Sequence, residues 1–281
     1  MSDDATSGIQ PVIITLAPVD YTKTRAFASA KALADEICEC HAAGAAVVHF
    51  HVTDIDGHAT GDTAFFNEVV GRIQDACDIV IEGSTGGAGV PWNVRAAALK
   101  ARGLKMASLN MGSCNLFGHV YANTPEEISN LASRMDELGI TPDMCFFEPG
   151  FFTSVTMLEK KRLLKGSPVA SICLGFPGAL PATMENLVFM ISKLPPRAEW
   201  TLVHHGARDF ALLGAAIAAG GNIRVGFEDS RELGGGVSVK RNAELVFRAR
   251  ALVEQLGRKV ASPSETRRRY GIHLRGPATA K

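Results

Sequence analysis

Short apolar runs alternate with longer amphipathic segments along almost the whole chain. The runs at 11–17, 46–51, 79–84, 106–110, 144–148, 169–174, 199–204 and 223–227 are rich in Val, Ile, Leu and Phe and too short for helices, so each predicts a strand. The segments between them place Ala, Leu and Glu at helical period. In the clearest, Thr124 suits an N-cap, Pro125 the first helical position and Glu127 the reciprocal position of a capping box. That helix runs to Leu138, and Gly139 supplies its stop. Strand–helix alternation repeated about eight times predicts an α/β fold, a single (β/α)8 TIM barrel, with an open doubly wound sheet as the alternative. The core spans about 11–258 with no linker or low-complexity tract dividing it. Residues 259–281 form a short C-terminal extension, read as one more helix and a loose terminus, with the run Arg267-Arg268-Arg269 as a solvated face.

In such a barrel the chemistry sits at the C-terminal ends of the strands. The second strand candidate ends in His49 and His51, two residues apart and therefore on one face. The eighth carries Arg224 and ends in Glu228-Asp229. Two imidazoles and a carboxylate are the ligand set of an open catalytic zinc site, so His49, His51 and Glu228 are the candidate metal ligands. Arg224, inside an apolar strand, needs a charged partner. Alternation puts it on one face with Gly226 and Glu228, as an anion-binding guanidinium beside a general base, or as a structural ion pair holding the barrel mouth. The third strand ends in Ser84-Thr85-Gly86-Gly87, a turn whose hydroxyls and free N–H groups suit an oxygen anion, and Ser108 and Asn110 share a face of the fourth. Neither a P-loop nor a dinucleotide fingerprint is present.

Lysine plus arginine and aspartate plus glutamate number 29 each, so no charge excess points to nucleic acid or an anionic membrane. The stretch Met1 to Gln10 is polar, and no apolar run approaches the ~20 residues of a membrane span, so a soluble cytoplasmic protein is expected. Six cysteines follow neither zinc-finger spacing nor a secreted disulfide framework. Cys38-Glu39-Cys40-His41 has the composition of a metal cluster, but helix positions two apart diverge, so Cys38 and Cys40 are read as ordinary helix residues.

Five motifs occur in order: His-Phe-His-Val at 49–52 with Asp56-Gly57 downstream, Gly-Ser-Thr-Gly-Gly at 83–87, Ser-Leu-Asn-Met-Gly at 108–112, Leu-Gly-Phe-Pro-Gly at 174–178 and Arg-Val-Gly-Phe-Glu-Asp at 224–229. From about residue 12 to about 265 the chain resembles the β-keto acid cleavage enzymes. The resemblance implies a zinc-dependent barrel that condenses a β-keto acid with the co-substrate acetyl-CoA, giving acetoacetate and a shortened acyl-CoA. It places the zinc on His49, His51 and Glu228, the base and its arginine on Asp229 and Arg224, and the substrate on Ser84, Gly87 and Ser108 with Asn110 nearby. It also implies a homotetramer. The aminohexanoate-cleaving members carry an ammonium-binding glutamate after the first strand, where this chain has Thr22, with Asp20 two residues away. A neutral, polar or anionic substrate tail is therefore expected, lined by the first loop and the residues around Phe176, His204 and His205.

Two other readings compete. An amidohydrolase-like zinc hydrolase shares His-x-His in a barrel, but on its first strand and with later histidines and a lysine or carboxylate on its fourth. Here the first strand has no histidine and the fourth ends in Ser108 and Asn110. A catalytically silent metabolite-binding barrel would bind ligand without turnover.

Overall fold

The eight predicted strands close into a ring. In this computed structural model, which describes residues 10–21 and 28–272, all eight are parallel. They are β1 (Ile14–Leu16), β2 (Val47–His51), β3 (Val80–Ser84), β4 (Met106–Asn110), β7 (Thr141–Phe146), β8 (Val169–Leu174), β9 (Glu199–His204) and β10 (Asn222–Val225). The ring order is β1-β10-β9-β8-β7-β4-β3-β2. Two short hairpins, β5–β6 (Cys114–Leu116, His119–Tyr121) and β11–β12 (Glu232–Gly234, Val237–Ser238), stand outside it. The helices are α1 (Ala30–Ala43), α2 (Ala64–Ala76), α3 (Trp92–Arg95), α4 (Pro125–Leu138), α5 (Thr153–Lys160), α6 (Met184–Ile191), α7 (Ala211–Ala218), α8 (Asn242–Gln255) and α9 (Pro263–Arg269).

The pleat of each strand sorts its residues. On β2, Val48 and Phe50 face outward into the helix-covered core, where Phe50 stacks on Phe66 of α2 at 4.3 Å. Val47, His49 and His51 face the barrel axis; Val47 lies in a separate apolar layer, while the two histidines line the internal cavity. β3 repeats the pattern, with Ile81 outside and Glu82 and Ser84 inside. Inward positions thus run from apolar at the strand starts to polar at the strand ends.

The expected caps are present. Thr124 and Glu127 form the reciprocal box of α4 and Gly139 closes it at φ 64°, a left-handed conformation that costs glycine little. β7 begins at Thr141, three residues before the predicted start, because Pro142 lies where pairing to β8 has not yet begun and its missing N–H costs no bond on that side. Neither hairpin was expected.

Two readings are corrected. Cys38 is bonded to Cys77 in a disulfide that ties α1 to the end of α2, while Cys40 points into the core as an ordinary helix residue. The two do diverge, but a partner 39 residues away leaves no local spacing signal. Of the arginine run only Arg268 is a solvated face. Arg269 reaches Glu199 (2.5 and 3.2 Å) and the carbonyl of Pro11 (2.5 Å), and Arg267 binds Asp78. These contacts pull the extension across the N-terminal end of the barrel. Tyr270 and Ile272 then pack with Ile13, Val47, Val80, Met106 and Val169 as its floor.

Candidate active site

The polar strand ends surround one cavity of about 460 Å³, lined by residues of every barrel strand. Adjacent register places His49 beside Glu82 and His51 beside Ser84. Glu228 arrives from the opposite flank of β1. The pleat does not carry it there, because β10 ends at Val225. Gly226 turns the chain at φ 145°, where a Cβ would lie 2.1 Å from the carbonyl oxygen of Ala17. That close approach lets the Glu228 N–H bond Ala17 (3.2 Å) and aims its side chain at the histidines.

The Nε2 atoms of His49 and His51 lie 4.0 and 3.9 Å from Oε1 of Glu228, and one ligand atom from each of the three residues falls within 4.8 Å of the others. Oε2 of Glu228 is buried and has no hydrogen-bond partner among the described residues. Burial works against its charge, yet Arg224 and the two histidines hold the Glu228 carboxyl well below the usual carboxylate range. Two imidazole nitrogens and an ionised carboxylate with an unused oxygen suit a divalent metal ion and leave coordination positions open.

The neighbours fix this set. Nδ1 of His49 donates to Oε1 of Glu82 at 3.0 Å, leaving Nε2 as the free electron pair. Burial opposes a charged His49, but the Glu82 carboxylate outweighs it and raises the imidazole's pKa. Burial lowers that of His51 despite the nearby Glu228 carboxylate. The Tyr21 hydroxyl accepts the His51 backbone N–H (2.8 Å), and its ring meets the imidazole edge-on at 4.6 Å.

Arg224 donates to both oxygens of Asp229 (2.8 and 2.6 Å) and to Glu228 (3.1 Å). Its guanidinium lines the cavity, whereas Asp229 lies behind it, outside the lining. Ser84, Gly87, Ser108 and Asn110 all line the cavity. Ser84 Oγ accepts the Gly86 N–H (3.1 Å) and Ser108 Oγ the Thr85 N–H (2.9 Å), so each hydroxyl proton is left to donate. Oδ1 of Asn110 is buried and unpartnered among the described residues. Thr22 lies outside the described residues; Asp20 lines the cavity and receives a hydrogen bond from Arg231 at 3.3 Å.

Sequence reasoning missed three residues. Glu82 was one of them, although a carboxylate at an inward position between Val80 and Ser84 was a readable signal. Asp143 hid behind Pro142; its Oδ2 accepts from Ser171 (2.6 Å), and burial followed by the nearby Glu82 charge pushes its carboxyl up to about 7. Arg95 is buried and clamps the Gly-rich turn to the first hairpin, donating to Thr85 and Ala122 carbonyls (both 3.1 Å) and to the Tyr121 hydroxyl (2.6 Å).

Comparison with known proteins shows the family and the fold. The family profile for beta-keto acid cleavage enzyme matches residues 11–272. Over 233 residues the chain is 36% identical to the 3-keto-5-aminohexanoate cleavage enzyme of Acetoanaerobium sticklandii, covering 82% of this chain and 85% of that one. It is 30% identical over 269 residues to the 3-dehydrocarnitine:acetyl-CoA trimethylamine transferase of Rhizobium meliloti, covering 87% and 89%. Among solved structures it resembles the apo structure of ObcA, with a TM-score of 0.76 at 18% identity. That likeness is one of fold; it covers 89% of this chain and 66% of that chain, just under two thirds of its length. The profile match over nearly the whole chain and the identity to these relatives make this protein an enzyme of the β-keto acid cleavage family.

Proposed function

We propose that this protein transfers the acyl group of a β-keto acid to CoA at the expense of acetyl-CoA, releasing acetoacetate. The observation that carries the reading is the convergence of His49, His51 and Glu228 in a cavity also lined by Arg224, Ser84 and Ser108. The three ligands would hold zinc, the ion that two imidazoles and a carboxylate favour at a catalytic site. When bound, zinc supplies Lewis-acid polarisation of the keto oxygen and a partner for the carboxylate.

The remaining work falls to the chain's own groups. Asp229 accepts a proton from the carbon between the keto and carboxylate groups, once Arg224 turns from it toward the substrate's anionic oxygens. The carbanion attacks the acetyl carbonyl of acetyl-CoA, forming one C–C bond. CoA then passes to the original keto carbon, and the bond between that carbon and the former α-carbon breaks. Acetoacetate leaves as its enolate, and Asp229 returns the proton. Ser84 and Ser108 orient oxygens through their free hydroxyl protons, and the backbone at Gly87 gives room for close approach. A hydrolase would need no acetyl-CoA. A homotetramer in the cytoplasm belongs to the same reading; among the described residues no helix is long and apolar enough to cross a membrane.

The test is an assay for acetoacetate with a β-keto acid panel, with and without acetyl-CoA, on protein of measured metal content. Release only when acetyl-CoA is present, lost together with bound zinc in His49→Ala, is the expected result. Full activity in a metal-free His49→Ala protein would remove the assignment.

A further inference from the structure

The wall facing the candidate metal ligands is apolar and aromatic. The ligands come from β2 and from the turn after β10, the two neighbours of β1. Four strands round the ring in either direction stands β7, with β8 beside it. On that side Cys145, Phe147, Cys173 and Phe176 line the same cavity, joined by Phe117 from the β5–β6 hairpin and His205 from the end of β9.

These rings form a built surface. Phe176 stacks on His205 with centroids 4.7 Å apart and planes at 22°, and Phe147 meets Phe176 edge-on at 5.0 Å. Phe117 closes the set at 5.2 Å from His205 and 6.1 Å from Phe176. It is pinned there by its N–H to the carbonyl of Pro177 (3.0 Å), although its side chain is half exposed. The one carboxyl on these two strands among the described lining residues is Asp143, two residues before Cys145 on β7 and bonded by Ser171 (2.6 Å); beyond it toward the strand ends, the described lining of this wall has no carboxylate, lysine or arginine. Arg224 is the one arginine or lysine among the described residues that line the cavity; it sits with Glu228 and Asp229 on the β10 side, where the acyl-transfer reading assigns it to the head group's oxygens rather than to the tail. Asp20, on the β1 side, is paired with Arg231.

We propose, building on the acyl-transfer reading above, that the substrate is a β-keto acid with an uncharged apolar tail, alkyl or aryl, seated against Phe117, Phe147, Phe176 and His205. A head group held by the ligands on one flank of the barrel directs its tail across the mouth to this wall. Among the described residues a carboxylate tail at these rings would lose its water and meet no free lysine or arginine, and an ammonium tail would meet no carboxylate beside them. An apolar tail gains contact along its whole length. Apolar pockets discriminate by about 10–200-fold per group of a methylene's size. This narrows the sequence expectation, which had left polar and anionic tails open.

The test compares three β-keto acids of matched length, with phenyl, carboxylate and trimethylammonium ends, at saturating acetyl-CoA and with acetoacetate as the common product. Wild-type kcat/KM at least tenfold higher for the phenyl acid than for either charged one is expected. A charged acid turned over as well or better overturns this inference alone. No acetoacetate from any acid overturns the acyl-transfer reading and this inference with it. Phe176→Ala should lower kcat/KM for the phenyl acid at least tenfold through KM, leave the acetyl-CoA KM within twofold, and be largely rescued by Phe176→Leu. If the acetyl-CoA KM rises instead while the keto acid KM holds, the wall belongs to CoA's pantetheine arm and the proposal fails.

Discussion

His49 donates its Nδ1 hydrogen to Oε1 of Glu82 across the β2–β3 pair at 3.0 Å, with both side chains buried. The register His49↔Glu82 makes this contact a product of strand pairing, so it holds the imidazole before any ion arrives. A carboxylate behind a ligating imidazole fixes its tautomer and strengthens its free nitrogen as a donor. Glu82→Gln keeps the size and one accepting oxygen but removes the charge. Its zinc affinity, measured by competition with a chromophoric chelator, should fall about tenfold, the lower end of effects for such partners. Affinity equal to wild type in both Glu82→Gln and Glu82→Ala would show that His49 needs no orienting partner.

Asp229 gives a separate expectation, because both its oxygens are on Arg224 rather than on the candidate ligands. Asp229→Asn should bind zinc normally. It should slow deuterium exchange at the substrate's α-carbon by about 10²–10⁴-fold, the range for a positioned base. Exchange followed by NMR in D₂O, without acetyl-CoA, isolates the proton step from acyl transfer. Undiminished exchange in this variant would shift the base to another residue.

The barrel was legible because each strand is short, apolar and separated from the next by a helix of clear period, as at 124–138. The convergence of His49, His51 and Glu228 was legible for a related reason: the three sit within two short motifs at or just past strand ends. What failed to show was contact between distant segments. The Cys38–Cys77 bond, the Arg269–Glu199 pair and the placement of Asp143 beside Ser171 each join residues 28 or more apart. The aromatic wall is the same case, since Phe117, Phe147, Phe176 and His205 come from four separate segments. Chain order carries pleat and period; it does not carry which loop folds over which strand.

Arg269 tests the strap under the barrel. Its guanidinium binds Glu199, the Pro11 carbonyl and Asn222 (3.2 Å), and it is mostly buried with its partner. Removing it strands a mostly buried carboxylate and frees Tyr270 from the floor. The cost should be about 3 kcal/mol, the low end for a broken buried pair because Glu199 keeps some solvent. For a domain of this size that is a fall of roughly 6–12 °C in Tm. Arg269→Ala should melt earlier by calorimetry yet retain wild-type kcat at 20–25 °C below its own midpoint, roughly the margin needed to keep it folded. An unchanged midpoint would mean the extension adds nothing to the barrel.

Asp143 should give the protein a pH-dependent penalty. Its carboxyl titrates near neutrality, at about 7 against an ordinary 3.8, because it is buried and faces the charge of Glu82. Above the usual carboxylate range the folded state therefore keeps a proton that the unfolded chain has already released. Stability from this group is intact below pH ~4, declines as pH rises, and reaches its full deficit once pH passes the folded value. Asparagine keeps an acceptor for Ser171 but cannot ionise. Asp143→Asn should remove the decline, so that variant minus wild-type stability rises by on the order of 2–4 kcal/mol between pH 4.5 and 8.5. The measurement is the urea midpoint across that range with a chelator present, so that no bound cation offsets the charge. Any constant cost of the amide shifts the two curves apart without changing their slopes. Parallel curves would therefore mean that Asp143 does not titrate in this window, and that its unpartnered Oδ1 is stabilised by something other than a proton.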